Sequence, residues 1–135
     1  MAAMEFNFAV RVYYEDTDAG GLVYHANYLK YYERARTEFL SHLGIEQDGL
    51  LAKQIGFVVK RITIDNILAA KFNDRLTVVT KISALKKARI EFEQRIEKEN
   101  KVINTALVEI ACIDLEKLKP VRIPEYILGE LHSVS

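Results

Sequence analysis

The 135-residue sequence contains one cysteine, two prolines and no tryptophan. A lone Cys112 excludes an intramolecular disulfide and is compatible with a reducing compartment, so we expect a cytoplasmic protein in which this thiol is a core residue. Neither a repeat nor a tract rich in proline, glycine or serine divides the chain. The sequence therefore predicts a single domain over residues 1–135, long enough to bury a core without a metal or disulfide staple.

Net charge and long apolar runs are also lacking. The 19 basic residues balance the 19 acidic ones, so no overall field attracts DNA or RNA, and no nucleic-acid partner is expected. No apolar run approaches the ~20 residues of a membrane span. The motifs Gly-x-Ser-x-Gly, Gly-x-x-x-x-Gly-Lys, Gly-x-Gly-x-x-Gly and His-Glu-x-x-His are absent. The histidines and the cysteine lie far apart without ligand-like spacing, so we expect no metal.

The periodicity of apolar residues predicts an α+β fold. Alternation from Phe6 to Tyr14 indicates a strand, and a period of 3.6 from about Asn27 to Leu43 indicates a long helix. A short helix is expected from Glu46 to Lys53. Four further segments rich in Val and Ile predict strands joined as antiparallel hairpins; they are Phe57–Ile64, Leu76–Ile82, Ile90–Ile96 and Ile103–Ile113. This order places one helix on one face of a sheet.

Arg36 interrupts the apolar face of the predicted long helix. At 100° per residue it falls inside the apolar arc. Two interpretations are open: its guanidinium extends to the edge of the core, or it pairs with a carboxylate inside the fold.

The loop from Glu15 to His25 places carboxylates just before the start of the long helix. Unpaired N–H groups and the helix dipole at that point would stabilise a carbonyl oxygen that becomes an oxyanion. A neighbouring carboxylate would serve as nucleophile or as base for water. Spacing alone favours the interpretation of Asp16 and Asp18 as turn and capping residues. The tyrosines around them are, on the same grounds, ordinary core or interface aromatics.

Five segments together resemble the 4-hydroxybenzoyl-CoA thioesterase family, and within it the YbgC-type acyl-CoA thioesterases. They are Arg11–Tyr28, which holds Asp-Thr-Asp-Ala-Gly-Gly, and Glu33–Glu38, Phe57–Lys60, Glu93–Arg95 and Lys117–Pro120. The resemblance covers nearly the whole chain. It implies the hotdog fold, in which a five-stranded antiparallel sheet wraps a long central helix. Leu22 is a mild departure, because Val or Ile is usual there.

The resemblance also implies roles for individual residues. Asp18 is the catalytic carboxylate, as nucleophile or as general base, and Asp16 supports the loop. The backbone N–H of His25 is the oxyanion donor, and Tyr14 and Tyr24 flank the substrate. The substrate is an acyl-CoA or an acyl carrier protein thioester, so coenzyme A belongs to the substrate and no separate cofactor is expected.

Three basic residues, Lys86, Lys87 and Arg89, match the region where relatives of this family contact the nucleotide of coenzyme A; Lys60 and Arg61 are a second candidate. A charged hairpin tip is also typical of a solvated turn. The resemblance implies a homo-oligomer, a dimer or a tetramer of paired dimers, with the site between protomers. Two alternatives remain: a non-catalytic module that binds acyl carrier protein or an envelope complex, and a hotdog hydratase. The hydratase motif Asp-x-Asn-Pro-x-His is absent after Asp18.

Overall fold

The computed structural model describes residues 2–135, which form three helices and six strands. The helices are α1 (Tyr28–His42), α2 (Gln47–Ala52) and α3 (Glu125–Val134). The strands are β1 (Phe6–Arg11), β2 (Ile55–Asn66), β3 (Arg75–Leu85), β4 (Arg89–Lys98), β5 (Lys101–Asp114) and β6 (Lys119–Pro120). Between residues 2 and 135, no helix has the length and apolar character needed to cross a bilayer.

The strands form one antiparallel sheet in the order β1-β3-β4-β5-β2, and the two-residue β6 adds to one end of β5. Strands β3, β4 and β5 follow one another through tight hairpins, as their alternating sequences predict. This leaves β1 and β2 as the sheet edges. The 12-residue β2 is the longer of the two, so its outer row of backbone N–H and C=O groups is a long unpaired edge.

Helix α1 lies on one face of this sheet and supplies the centre of the core. Phe39 on α1 stacks on Phe6 of β1 with ring centroids 5.3 Å apart, and it meets Phe92 of β4 edge-on at 6.5 Å. Alternate residues of β4, Ile90, Phe92 and Ile96, point to the helix and are fully buried. The predicted α+β arrangement, a long helix against an antiparallel sheet, is confirmed, with β6 as a minor addition.

Two elements differ from the sequence prediction. Strand β1 ends at Arg11 rather than Tyr14, because the carboxylate of Asp16 accepts the Tyr13 N–H at 2.8 Å and turns the chain into a 3₁₀ turn over Tyr14–Asp16. Helix α3 was not predicted. It follows Pro124, and its Ile127 and Leu131 are buried against the core, a helical spacing that could have been recognised.

Arg36 adopts neither of the two predicted environments. The residue is 8% exposed, so it does not reach the edge of the core. Its Nη1 donates a hydrogen bond to Oε1 of Gln94 at 3.0 Å, and no carboxylate among residues 2–135 pairs with it. A neutral amide is its partner because Gln94 is the polar side chain that β4 directs at the helix.

Candidate active site

Asp16 fastens the loop between β1 and α1 at both of its ends. Its Oδ2 accepts the Tyr13 N–H at 2.8 Å, and its Oδ1 accepts the side-chain amide of Asn27 at 2.9 Å. Its carbonyl accepts the Tyr24 N–H at 3.0 Å. Burial alone would raise the pKa of this carboxyl, but the hydrogen bonds from Tyr13 and Asn27 outweigh burial and hold the pKa below its ordinary value. Asp16 is therefore an ionised brace within the loop.

Asp18 lies exposed at the tip of the same loop, and its two carboxylate oxygens have different environments. Oδ1 accepts the N–H of Gly20 at 2.9 Å and that of Leu22 at 3.3 Å. Within the described part of the chain, Oδ2 accepts no hydrogen bond. A Cβ at Gly20 would lie 3.3 Å from Oδ1, so glycine permits this close approach. Oδ1 of Asp18 is therefore bonded as a turn residue would be. Oδ2 is available to contact a substrate or a water molecule.

The start of the long helix presents uncapped amides beside this loop. A 3₁₀ turn over His25–Asn27 leads directly into α1, and no side chain caps either element. Among the hydrogen bonds of residues 2–135, the His25 N–H has no acceptor. Such N–H groups carry the positive end of the helix dipole. The loop therefore carries an exposed carboxylate and leads into donors suited to an oxyanion.

Aromatic side chains surround the loop and are open to solvent in the single chain. Tyr14 is 79% exposed and meets Phe72 edge-on, with ring centroids 5.9 Å apart. Tyr24 is 51% exposed, and its ring lies 4.5 Å from that of His25. Asp18, Tyr24 and His25 line none of the five surface cavities described for residues 2–135. A single protomer therefore leaves this group of residues as an open surface.

The basic residues predicted to bind phosphate lie at the turn between β3 and β4. Lys86 and Arg89 line a cavity of about 150 Å³ together with Glu91 and Glu109. The neighbouring Lys87 side chain is exposed. This turn and the Asp18 loop are at opposite ends of the 11-residue β3, roughly 33 Å apart along the strand. The structure does not bring these predicted site residues together within one chain.

Asn27 and Tyr31 belong to the Asp16 cluster but were not singled out from the sequence. Tyr31 is fully buried, and its hydroxyl is the one enclosed side-chain polar atom in the described region without a hydrogen-bond partner. Burial, followed by the proximity of the Asp16 carboxylate, raises the pKa of Tyr31. Asn27 and Asp16 are 11 residues apart, so only their places at the two ends of one loop could have suggested contact.

Comparison with known proteins identifies the relatives of this chain. The profile of the thioesterase-like superfamily matches residues 12–131. An acyl-CoA thioesterase YbgC of Haemophilus influenzae is 51% identical over 128 residues, which is 94% of each chain. An acyl-CoA thioester hydrolase YbgC of Escherichia coli is 44% identical over 126 residues, covering 93% of this chain and 94% of the relative. A crystal structure of a probable thioesterase from Bartonella henselae is 41% identical, with a TM-score of 0.83; it covers 90% of this chain and all of the other.

Proposed function

The chain belongs to the thioesterase-like superfamily and is an acyl-CoA thioesterase of the YbgC type, and we propose that Asp18 and the helix amides at His25 perform the hydrolysis. The hotdog fold expected from the family resemblance is confirmed by the same relatives and by the helix and sheet described above. The observation that carries the proposal is the free Oδ2 of Asp18 in a loop braced to the uncapped start of α1. We propose a cytoplasmic site of action, consistent with the free thiol of Cys112.

In the proposed reaction the thioester carbonyl oxygen accepts the His25 N–H. As general base, Asp18 takes a proton from water, the resulting hydroxide adds to the carbonyl carbon, and the oxyanion is held by the helix amides. The C–S bond then breaks, and the thiolate of coenzyme A leaves and is protonated. As nucleophile, Asp18 would displace the thiolate to give a mixed anhydride, which water hydrolyses. Both routes use only protein groups and water, so we propose that no cofactor or metal takes part.

Label recovered in the protein after a single turnover in H₂¹⁸O identifies the nucleophilic route. The nucleophilic route places ¹⁸O in the Asp18 carboxylate when water attacks that side of the anhydride, whereas the general-base route places it only in the released acid. Mass spectrometry of the peptide that contains Asp18 reads the difference.

A panel of acyl-CoA and acyl carrier protein thioesters tests the function itself. Release of free thiol from acyl-CoA is the result expected. Binding without turnover would instead support a non-catalytic module, and a change in enoyl absorbance without thiol release would support a hydratase. Comparing the two carriers at equal acyl chain length decides which of them the enzyme prefers.

We propose that a second copy of the chain pairs along β2 and completes the site. Val59 on this long edge strand is 52% exposed and lies next to exposed Val58, which is typical of an edge that is covered in an assembly. The Ile55 end of β2 lies near the Lys86 turn, through Asp114 and Ala111 of β5. Beyond the opposite end of β2, the chain continues to Ala70, whose carbonyl accepts the Val23 N–H of the Asp18 loop.

Antiparallel pairing of two β2 strands about a twofold axis reverses these ends. The basic turn of the partner would then stand at the same end of the joined sheet as the Asp18 loop of the first protomer. In this arrangement the Asp18 carboxylate of one protomer would lie at the same end of the sheet as the basic turn of the partner. The basic turn of its own chain lies at the opposite end. In this arrangement a dimer is the smallest active species, and mass measurement decides whether dimers pair into a tetramer.

Val59→Lys is expected to dissociate the assembly. It places one new charge from each copy at the proposed seam, where like charges repel and exposed edges are protected by lysine. Analytical ultracentrifugation should show the mass falling to the 15.5 kDa of one chain, with activity lost in parallel. The matched control is Leu118→Lys, because Leu118 is apolar and 72% exposed on a different surface. An active wild-type monomer, or a Val59→Lys variant that stays assembled, would contradict the proposal.

Replacing Lys86, Lys87 and Arg89 together by alanine is expected to raise KM for acyl-CoA roughly tenfold and leave kcat unchanged, since each exposed charge contributes less than about 1 kcal/mol. The salt dependence of KM should weaken in the variant. An acyl-pantetheine, which lacks the nucleotide, should be hydrolysed equally by both proteins. Lys30→Ala, an exposed lysine on α1, is the control. An unchanged KM would show that Lys86, Lys87 and Arg89 form a solvated turn and do not bind the substrate.

A further inference from the structure

A separate cavity lies between α1, α2 and the sheet, away from the Asp18 loop. Its volume is about 190 Å³. The walls combine apolar side chains from the sheet with polar ones from the two helices, and one basic side chain stands among them. Its lining includes Arg36, Leu40, Phe57, Ile90 and Ile110, together with Val59 of the proposed β2 seam.

The guanidinium of Arg36 has unused hydrogen-bond donors in this cavity. One of its five N–H groups is bonded, to Oε1 of Gln94. The amide of Gln94 donates to the Tyr32 carbonyl and to Thr80 Oγ1, so it holds the guanidinium without supplying a negative charge. Among the described side chains, the Tyr31 hydroxyl is the one fully enclosed polar atom that lacks a hydrogen-bond partner. The remaining N–H groups of Arg36 are therefore not fully enclosed, and they are accessible from the cavity that Arg36 lines.

The charge of Arg36 is poorly compensated by the protein. Burial lowers the pKa of Arg36, and the nearest acidic influence, Glu33 on the same helix, opposes that shift. Glu33 is one of the residues that line the cavity, but it does not form an ion pair with the guanidinium within residues 2–135. A buried cation held by one neutral amide is an unfavourable arrangement that a bound anion would relieve.

We propose that this cavity is a binding site for a small carboxylate. A guanidinium pairs with a carboxylate through two parallel hydrogen bonds, and Phe57, Ile90 and Ile110 offer an apolar surface for a short hydrocarbon chain. The size agrees, because a cavity of about 150 Å³ admits benzene, whereas sites for drug-sized ligands exceed about 300 Å³. Two sources share this chemistry: the free acid that thioester hydrolysis releases and the distal carboxylate of a dicarboxylic acyl group. Only this choice of source rests on the proposed function.

Methyl NMR of the wild-type protein with butyrate tests the site directly. We expect butyrate to shift the methyl signals of Ile90 and Ile110, and butyramide, which has nearly the same shape without the charge, to leave them unchanged. Arg36→Gln should weaken butyrate binding at least tenfold while keeping a donor for Gln94, and Arg36→Lys should retain part of the affinity. Arg34→Gln, which removes an exposed arginine of α1, should bind as the wild type does.

Unresponsive Ile90 and Ile110 methyls, equal effects of butyrate and butyramide, or full affinity in Arg36→Gln would each overturn the proposal. If Arg36→Gln does not fold, the comparison of acid with amide on the wild type still decides. Kinetics then identify the source of the carboxylate. If butyrate inhibits butyryl-CoA hydrolysis and Arg36→Gln relieves this inhibition, the site binds the released acid. If Arg36→Gln instead lowers kcat/KM tenfold for succinyl-CoA but not for butyryl-CoA, the site binds the distal carboxylate of the acyl group. If neither thioester is cleaved, the methyl titration still judges the site, and the acyl-CoA panel described above separately judges the proposed function.

Discussion

Asp18→Asn is expected to lower kcat by a factor of roughly 10²–10⁴, the contribution of a positioned general base, and to leave the melting temperature nearly unchanged. The amide oxygen of asparagine can still accept the N–H groups of Gly20 and Leu22 that Oδ1 accepts now. The loop therefore keeps its shape, whereas the free oxygen is replaced by an NH₂ group that neither attacks a thioester nor takes a proton. Thiol release and thermal unfolding measured on the same preparation give both quantities.

The matched control for this substitution is Asp48→Asn. Asp48 is also exposed, and its Oδ1 accepts the N–H of a glycine, Gly49, at 2.9 Å. It lies on α2, at a distance in sequence and structure from the loop, so activity should be retained. Full turnover by Asp18→Asn would show that another group carries the chemistry. A large fall in melting temperature would show that Asp18 is chiefly a turn residue.

Asp16→Asn, unlike Asp18→Asn, is expected to destabilise the fold, with a loss of about 2 kcal/mol in the free energy of unfolding. The Asp16 carboxylate accepts from both Tyr13 and Asn27, whereas an asparagine has one acceptor oxygen and must direct its own NH₂ at one of these donors. The melting temperature should fall by roughly 6–8 °C for a domain of this size. Turnover should fall as well, because the same bonds fix the Asp18 loop against the start of the helix.

The pH dependence of stability distinguishes this interpretation of Asp16 from a simple loss of packing. Because the folded-state pKa lies below the ordinary value of 3.8, the ionised Asp16 stabilises the fold at pH values above 3.8. That contribution is lost as the pH falls through the lowered folded pKa. The stability difference between wild type and Asp16→Asn should therefore be full near neutrality and shrink in acid. A difference that is constant with pH would contradict an ionised brace.

The sequence predicted the elements whose apolar residues repeat with a clear period. Helix α1 begins and ends within one residue of the predicted bounds, and the four later strands were all located, because each buries one face against a single core. The end of β1 was misplaced, since a side-chain contact from Asp16 overrode the alternation. The environment of Arg36 was also not foreseeable, because its partner Gln94 lies 58 residues away on the sheet.

The candidate site was harder to predict than the fold. Spacing alone did not separate Asp16 from Asp18, although the structure gives them different surroundings: one is buried with both oxygens bonded, and the other is exposed with one oxygen free. The resemblance to a known family supplied the choice between them. Contacts such as Asp16 with Asn27 depend on how the loop closes, and no local pattern in the sequence encodes that closure.

The placement of the Asp18 loop and the basic turn at opposite ends of β3 has a genetic consequence. In the proposed twofold pair, each reaction centre combines Asp18 of one chain with the basic turn of the other. A hybrid of one Asp18→Asn chain and one chain without Lys86, Lys87 and Arg89 would therefore have both substitutions in one centre, and the other centre would be intact. Co-expression of two impaired alleles should then restore part of the catalytic efficiency at low acyl-CoA concentration. Were each centre built from one polypeptide, the same hybrid would contain two damaged centres and the alleles would fail to complement.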